Sequence, residues 1–243
     1  MKIAIVGYGK MGHAIEELAI SRGHDIVLII DSDNAHLVTE KFLSCQDIDV
    51  AIEFTTPYTA YQNITTCFKA GIKVISGSTA WLDRWDEALD CMYKQNGSFI
   101  YASNFSIGVN IFFAVNQKLA QMMDSQKAYD VSIKEIHHTS KKDAPSGTAA
   151  TLANDIISDI RRKTKYELIN GKRENTSESI PIQSLRIDPA PGTHHVKYSS
   201  DIDDLEIIHT AKSRIGFALG AITAAEYLHT REGLFTMRDV LGI

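Results

Sequence analysis

The first hundred residues alternate between short apolar runs and longer segments with helical spacing. The apolar runs that predict buried strands lie at 2–6, 26–30, 50–54, 72–76 and 98–102. The segments whose apolar residues recur at helical spacing lie at 11–22, 56–70 and 82–95. This regular alternation predicts a parallel, doubly wound sheet.

The regular alternation of strands and helices ends after residue 102, where strands follow one another with fewer helices between them. Helices are predicted at 107–123, 148–162 and 217–228, with Ser146 as the N-cap of the second. Strands are predicted at 131–137, 180–187, 194–198 and 205–209. The polar stretch 163–179 is expected to be an exposed loop, and the last helix is expected to return to the first domain. The pattern therefore predicts a second, α+β domain with a mixed sheet.

Composition and charge narrow the class of protein. Of 243 residues, 44% are apolar and 23% are charged, which fits a soluble globular chain with one large or two modest domains. The net charge of -5 opposes bulk binding of nucleic acid, which requires a cationic surface. Residues 1–7 are too short for a signal peptide and 105–115 too short to cross a bilayer. We therefore expect no nucleic-acid partner and no membrane association.

The cysteines favour a reducing compartment. Cys45, Cys67 and Cys91 are odd in number, widely spaced and form no Cys-x-x-Cys pair. A disulfide framework or a zinc site is therefore not expected, and the cytoplasm is the simpler location.

A glycine-rich motif follows the first predicted strand and opens the first predicted helix. Its positions, in the pattern Gly-x-Gly-x-x-Gly, are Gly7, Tyr8, Gly9, Lys10, Met11 and Gly12. The glycines permit a tight turn and a close approach of the backbone to a pyrophosphate, which the helix N-terminus then attracts. Asp31 ends the second predicted strand, nineteen residues after Gly12, where an acid can bind the adenosine ribose. The order of these features indicates a dinucleotide site, although a purely structural turn would use the same glycines.

Asp31 also bears on the choice of coenzyme. Its charge would repel the additional phosphate of NADP, and Ser32 and Asp33, with no arginine, follow it. This favours NADH, while Lys10 would offset part of the repulsion, so both coenzymes stay open at this point.

A second group of polar residues lies at 135–149, with the sequence EIHHTSKKDAPSGTA. His137, His138, Lys141 and Lys142 fall within six residues and precede a turn that leads into a predicted helix. Lysine supplies a fixed positive charge and histidine exchanges a proton near neutral pH. The N–H groups near Gly147 and Thr148 would form an anion site, so the segment suits a substrate with two carboxylates. Ordinary surface residues remain the alternative, and no cysteine or third histidine has the spacing of a metal site.

This segment resembles the dihydrodipicolinate reductase family, whose pattern Glu-x-His-His-x-x-Lys-x-Asp-Ala-Pro-Ser-Gly-Thr-Ala is filled at every fixed position. Other similar stretches are the glycine loop, EFTTP at 53–57, GST at 77–79, ASNFSIGVN at 102–110 and the segment from His209 through Arg214 to Ala218. The chain differs from the family at Glu53, where aspartate is usual, and at Ser78 and Ala80, where threonine and glycine are usual. Its glycine loop is also one residue shorter than in many members.

The resemblance implies an activity, a fold and an assembly. The activity is the NAD(P)H-dependent reduction of 4-hydroxy-tetrahydrodipicolinate to tetrahydrodipicolinate in lysine and diaminopimelate synthesis, without a metal. The fold is a Rossmann domain at 1–104 with 217–243, which binds the dinucleotide. An α+β domain at 105–216 would bind the small dicarboxylate substrate and assemble a homotetramer.

The resemblance also assigns residues. His137 is the implied acid/base residue and Lys141 the implied proton donor. The substrate carboxylates would be held by His138, Lys141, Gly147 and Thr148. Besides the glycine loop and Asp31, the coenzyme would be contacted by Phe54, Thr55, Gly77, Ser78, Thr79, Ala102, Ser103, Asn104 and Phe105.

Two other interpretations rest on part of the same sequence motifs. Another Rossmann oxidoreductase of amino diacids, such as diaminopimelate dehydrogenase, would share the glycine loop but not the His-His-x-x-Lys segment. A regulatory module that senses NAD would need the loop but not His137 and Lys141 together. A measurement of substrate turnover would distinguish these two interpretations from that of a dihydrodipicolinate reductase.

Overall fold

The computed structural model of the protein describes residues 1–169, 177–213 and 215–243. The chain forms two compact units, one of Met1–Ile107 with Arg214–Ile243 and one of Gly108–Ser213. Among the described residues, no helix combines the length and apolar character that a membrane span requires.

The first unit is built on a parallel sheet of six strands. The strands are β1 (Lys2–Val6), β2 (Asp25–Ile30), β3 (Val50–Glu53), β4 (Lys73–Ser76), β5 (Phe99–Tyr101) and β11 (Leu234–Phe235). Their order across the sheet is β11-β5-β4-β3-β1-β2, and each neighbouring pair is parallel. The helices are α1 (Lys10–Ser21), α2 (Glu40–Leu43), α3 (Ala60–Lys69), α4 (Trp85–Lys94), α7 (Ile215–His229) and α8 (Met237–Leu241). The predicted doubly wound Rossmann sheet is confirmed.

Both faces of this sheet are buried, which explains why its strands are continuous apolar runs. Successive side chains of a strand point to opposite faces. In β1, Ile3 and Ile5 join a core formed with α1 and α7, while Ala4 and Val6 join a second core with α3 and α4. Burying each isoleucine side chain contributes about 1.5–3 kcal/mol.

The second unit is an α+β layer structure with a five-stranded sheet. Its strands are β6 (Asp130–His137), β7 (Lys165–Leu168), β8 (Ser179–Arg186), β9 (Gly192–Ser199) and β10 (Asp204–Ala211). The order is β10-β9-β6-β8-β7; β9 is antiparallel to β6 and β10, whereas β8 is parallel to β6 and β7. The helices are α5 (Ile107–Met123) and α6 (Gly147–Asp159), which form one core with alternate residues of the sheet. The predicted mixed sheet is confirmed.

The prediction of an exposed loop over 163–179 is wrong for Lys163, for β7 and for Ser179, which begins β8. Lys165–Leu168 forms β7 through parallel pairing with β8. Lys163 is buried, pairs with Asp130 at 2.6 Å and donates from Nζ to the carbonyl oxygens of Ser177 and Ser179. Lys163 and β7 meet these partners only in the folded chain. The polar sequence by itself therefore indicated a loop. Residues 170–176 lie outside the described residues.

Two predicted helices begin later than the sequence pattern suggests. α3 begins at Ala60, because Thr55, Thr56 and Thr59 bond to one another through their hydroxyls and hold a turn before it. α4 is preceded by a short 3-10 turn over Leu82–Arg84, so the α-helix proper begins at Trp85.

Candidate functional site

The loops of the first unit converge at one edge of its sheet. Because the strands are parallel, the loops that follow β1, β2, β3, β4 and β5 all leave at the carboxyl edge. These loops and the first turn of α1 carry the residues predicted to contact a coenzyme. The switch in strand order falls between β1 and β3, the place where such sheets bind ligands.

The glycine loop is shaped by two close backbone contacts and one open position. A Cβ on Gly7, whose φ is +99°, would lie 2.2 Å from the Phe54 carbonyl oxygen. A Cβ on Gly12 would lie 2.5 Å from the Gly7 carbonyl oxygen, so α1 packs directly on the turn. A Cβ on Gly9 would meet no atom of the described residues within 4 Å. The loop is therefore closely packed at Gly7 and Gly12 and has open space at Gly9.

The open position coincides with the N-terminus of α1. Gly9 is the N-cap, and no described side chain caps this helix end. Lys10 is exposed, whereas Tyr8 and Met11 are half-buried. The N–H groups of the first turn are available to an anion, as a pyrophosphate site requires.

Asp31 lies where the fingerprint predicts. It follows β2, is exposed, and begins a 3-10 helix over Ser32–Leu37. Its backbone N–H donates to the Asn34 side-chain oxygen at 2.7 Å, which fixes the turn. The carboxylate is thus available to solvent or to a ligand.

A buried carboxylate joins the loops after β3 and β4. Glu53 is 1% exposed and accepts from the Ser76 hydroxyl at 2.6 Å, the Ser78 hydroxyl at 2.8 Å and the Thr55 N–H at 2.9 Å. The Thr55 hydroxyl donates to the same group. In the sequence Glu53 stands out only as a departure from a family pattern, and no local signal indicates these hydrogen bonds.

Aromatic packing places Phe54, Gly77 and Phe105 among the remaining predicted coenzyme residues. A Cβ on Gly77 would lie 2.1 Å from a ring carbon of Phe54, and the Phe54 and Phe105 ring centroids are 5.8 Å apart. Asn104 accepts from the Ser106 N–H at 2.9 Å through its side-chain oxygen. Thr79 and Ser103 are exposed, and Ala102 is half-buried.

In the second unit, His137 lies at the end of β6 beside two buried groups. Strand alternation places Glu135 on the same face, and Nδ1 of His137 lies 3.6 Å from a Glu135 carboxylate oxygen. The His194 ring, from β9, lies 5.0 Å from the His137 ring at an angle of 69°. The structure thus gathers side chains from distant parts of the sequence around His137.

Burial and neighbouring charges set the protonation of these groups. Burial lowers the pKa of His137; Glu135 opposes this effect, while Lys141 and Arg186 add to it. Burial also lowers the pKa of His194 to about 4. Burial raises the pKa of Glu135, but hydrogen bonds from Ser146 and Ser184 outweigh it and leave a net lowering. Near neutral pH the cluster therefore holds an ionised carboxylate and two neutral imidazoles.

The predicted substrate residues follow His137 in the loop before α6 and in the first turn of that helix. Nδ1 of His138 lies 2.7 Å from the Ser140 hydroxyl, and Nζ of Lys141 pairs with Asp143 at 2.8 Å. Gly147 is exposed and Thr148 half-buried in the first turn of α6. The predicted N-cap is confirmed, since the Ser146 hydroxyl accepts from the Ala149 N–H at 3.2 Å.

Three polar residues near His137 were missed by sequence reasoning. Ser184 and Arg186 lie on β8, and His194 on β9. Arg186 approaches Glu135 at 3.7 Å and donates to the carbonyl oxygens of Lys141 and Asp143. Sequence spacing gave no signal for these residues, because β8 and β9 join β6 only through the sheet.

No third histidine has the sequence spacing of a metal site, but the fold brings His194 next to His137. Ligand atoms of Glu135, His137 and His194 lie within 4.8 Å of one another, close enough to hold a metal ion. The cationic side chains of Lys141 and Arg186 oppose a divalent ion there, and Ser146 and Ser184 already bond the carboxylate. The absence of a metal stays a prediction.

A Rossmann sheet with an open glycine loop, together with an α+β unit that carries a buried histidine cluster, defines a two-part dehydrogenase or reductase fold. The family model for the N-terminus of dihydrodipicolinate reductase matches residues 1–105. The family model for the C-terminus of dihydrodipicolinate reductase matches residues 108–241. The chain belongs to the dihydrodipicolinate reductase family. Membership makes it an oxidoreductase of the Rossmann, NAD(P)H-binding type.

Individual relatives agree with this membership. The 4-hydroxy-tetrahydrodipicolinate reductase of Christiangramia forsetii is 51% identical over 242 residues, covering 100% of this chain and 98% of that protein. The reductase of the same name from Methanococcus vannielii is 34% identical, covering 99% and 88%.

Solved structures agree with the fold. A dipicolinate-bound dihydrodipicolinate reductase from Paenisporosarcina sp. TG-14 has a TM-score of 0.74 at 20% identity, covering 97% of each chain. An amine dehydrogenase from Mycobacterium smegmatis has a TM-score of 0.62 at 10% identity, covering 98% and 95%.

Proposed function

We propose that this protein reduces 4-hydroxy-tetrahydrodipicolinate to tetrahydrodipicolinate with NADH or NADPH, as a step of lysine and diaminopimelate synthesis. The observation that carries the proposal is the buried His137, which contacts Glu135 while Ser146 of the same network caps the helix that begins at Gly147. A proton-exchanging group and an anion-binding helix end are thereby linked. The relative at 51% identity bears the name of this activity.

The first unit is the proposed coenzyme site. The residues that would hold the nucleotide are the glycine loop, Asp31 and the loops that carry Thr55, Ser78 and Asn104. The open space at Gly9 and the uncapped start of α1 fit a pyrophosphate. When bound, the nicotinamide supplies the hydride. The exposed Asp31 favours NADH, because an acid at that position repels the phosphate of NADP.

The second unit is the proposed site for the diacid. The first-turn N–H groups at Gly147 and Thr148 would bind one carboxylate, helped by the helix dipole. His138 and Lys141 would meet the other, and Arg186 adds positive charge to the same loop through its bonds to the carbonyl oxygens of Lys141 and Asp143. The arrangement suits a small molecule with two negative groups.

The pKa of His137 bears on how the proton chemistry is divided between His137 and Lys141. His137 has a lowered pKa, so its ring is mainly neutral at pH 7 and is suited to accept a hydrogen bond or a proton. The Lys141 ammonium is the better group to deliver a proton to the substrate carbon. We assign Lys141 as proton donor and His137 as the acid/base residue that orients the substrate.

A coupled assay tests the proposal. Substrate made in situ by a synthase from pyruvate and aspartate semialdehyde is added with NADH or NADPH, and coenzyme absorbance is followed. Oxidation that depends on the synthase product is the expected result. A folded protein that binds nucleotide but oxidises neither coenzyme would overturn the proposal and favour another diacid or a sensor.

We also propose a cytoplasmic homotetramer. Cys45, Cys67 and Cys91 are all free, which fits a reducing compartment. The edge strand β10 exposes Leu205 and Ile208, which suits burial against another copy. Light scattering during size exclusion gives the mass, and a monomer at micromolar concentration would contradict the assembly.

A further inference from the structure

The carboxylate of Glu135 links the strand that carries His137 to the helix that would bind the substrate. Glu135 is fully buried on β6, and both of its oxygens lie 3.1 Å from the Ser146 N–H. Ser184 on β8 donates a further hydrogen bond of 2.5 Å. Ser146 is also the N-cap of α6, so the carboxylate anchors the residue at which the helix begins.

His194 completes this connection from β9. Its Nε2 lies 3.1 Å from the Ser146 hydroxyl and 3.7 Å from Glu135, and its ring meets the edge of the His137 ring. The Nδ1 atoms of His137 and His194 are buried and make no hydrogen bond within the described ranges. At 3.6 Å from the carboxylate, Nδ1 of His137 would form a charge-assisted bond after a small rotation of its ring.

We propose that Glu135 and His194 are positioning residues that hold the His137 ring and the start of α6 in one fixed arrangement. This inference rests on the proposed function, in which the diacid binds at the helix start while a proton moves at His137. Glu135 would orient the ring through Nδ1 and leave Nε2 toward the substrate. His194, neutral at working pH, would fix the N-cap without adding charge.

The charged groups around His137 come from several elements. Glu135 lies on β6, Lys141 and Asp143 on the following loop, Arg186 on β8 and His194 on β9. Lys141 and Arg186 disfavour a protonated ring, whereas Glu135 and Asp143 favour it. Since Glu135 is the nearest and most buried anion, removing its charge should make the His137 ring harder to protonate.

Glu135→Gln tests the role of the charge, because the amide keeps the volume and an acceptor for Ser146. We expect kcat to fall about tenfold or more and the acid limb of kcat/KM to move down by about one pH unit, with KM for NADH unchanged. Glu167→Gln is the matched control, since it makes the same change on the half-exposed strand β7. An unchanged pH profile and kcat in a folded Glu135→Gln protein would overturn the proposal.

His194→Leu, whose side chain cannot bond the Ser146 hydroxyl, tests the other half and serves if Glu135→Gln does not fold. Loss of the contact with Ser146 should weaken binding of pyridine-2,6-dicarboxylate, the probe, several-fold while the acid limb stays in place. Unchanged affinity for the probe would remove His194 from the proposed role.

NMR separates this inference from the proposed function. The imidazole signals of His137 are titrated in wild type and Glu135→Gln without substrate or coenzyme. A lower titration midpoint in the variant supports the role of Glu135 even if the wild-type protein has no reductase activity. Equal midpoints would refute that role even if the reductase activity is found.

Discussion

The Ser78 hydroxyl donates a 2.8 Å hydrogen bond to the buried Glu53 carboxylate and ties the loop after β4 to the end of β3. The same hydroxyl accepts from the Thr55 N–H at 2.8 Å. Two loops at the proposed coenzyme edge are therefore anchored by the same buried side chain.

Replacing this anchor should loosen the coenzyme edge. Glu53→Gln turns one acceptor into a donor that faces other donors, so we expect a loss of about 1–3 kcal/mol in unfolding free energy and a higher KM for NADH. Urea unfolding and steady-state kinetics measure the two effects. Glu17→Gln on the exposed side of α1 is the control, and equal stability of both variants would contradict the role of Glu53.

The glycine loop allows structural and ligand effects to be separated. Gly9→Ala adds a methyl group into open space, so the protein should fold normally but lose about tenfold or more in coenzyme affinity, because the pyrophosphate would approach there. Thermal melting and calorimetric titration with NADH check both outcomes. Wild-type affinity in this variant would place the pyrophosphate elsewhere.

Gly12→Ala, unlike Gly9→Ala, should lower the free energy of unfolding. Its Cβ would collide with the Gly7 carbonyl oxygen at 2.5 Å, so we expect a loss of about 1–3 kcal/mol in unfolding free energy. Chemical denaturation measures the loss. A stability equal to that of Gly9→Ala would show that α1 does not pack as closely as described.

Lys141 and Lys142 form a natural pair for testing catalysis. Lys141→Ala should reduce kcat about 100-fold or more with little change in NADH binding, because the proposed proton donor is gone. Lys142 is exposed, and Lys142→Ala should retain most activity. Similar losses in both variants would point to a general electrostatic effect in place of proton donation.

Asp31 should govern the choice between coenzymes. Asp31→Asn removes the charge that repels the phosphate of NADP, and we expect the ratio of kcat/KM for NADPH over NADH to rise about tenfold. Asp33→Asn, at an exposed neighbouring position, is the control. If the two variants shift the ratio equally, the effect belongs to the net charge of the loop.

His194 should make folding stability depend on pH. Burial lowers its pKa from 6.5 to about 4, so the unfolded chain binds a proton that the folded protein refuses. Stability from this group is present above pH 6.5 and is lost as the pH falls toward 4, by up to about 3 kcal/mol. Unfolding free energy measured across this window should fall less in His194→Gln than in wild type. His36→Gln, at an exposed histidine, should follow wild type.

The parallel sheet and the place of the glycine loop could be predicted from the amino-acid sequence. Strands buried on both faces need continuous apolar runs, and turns such as that at Gly7 need glycine, so both features are written locally. The N-cap at Ser146 and the position of His137 at a strand end were predictable for the same reason. Strand β7 was not, because Lys165 and Glu167 interrupt any apolar run in its four residues and the strand pairs only with β8.

The surroundings of His137 could not be predicted, because they form only when the strands of the second sheet pair. Ser184, Arg186 and His194 lie 47, 49 and 57 positions after His137, and the order of strands in the sheet brings them together. The same holds for Glu53 at the end of β3, whose partner Ser78 lies in the loop after β4. Sheet pairing is non-local, so the sequence reveals which residues carry chemistry, while the fold decides which of them meet and how their pKa values shift.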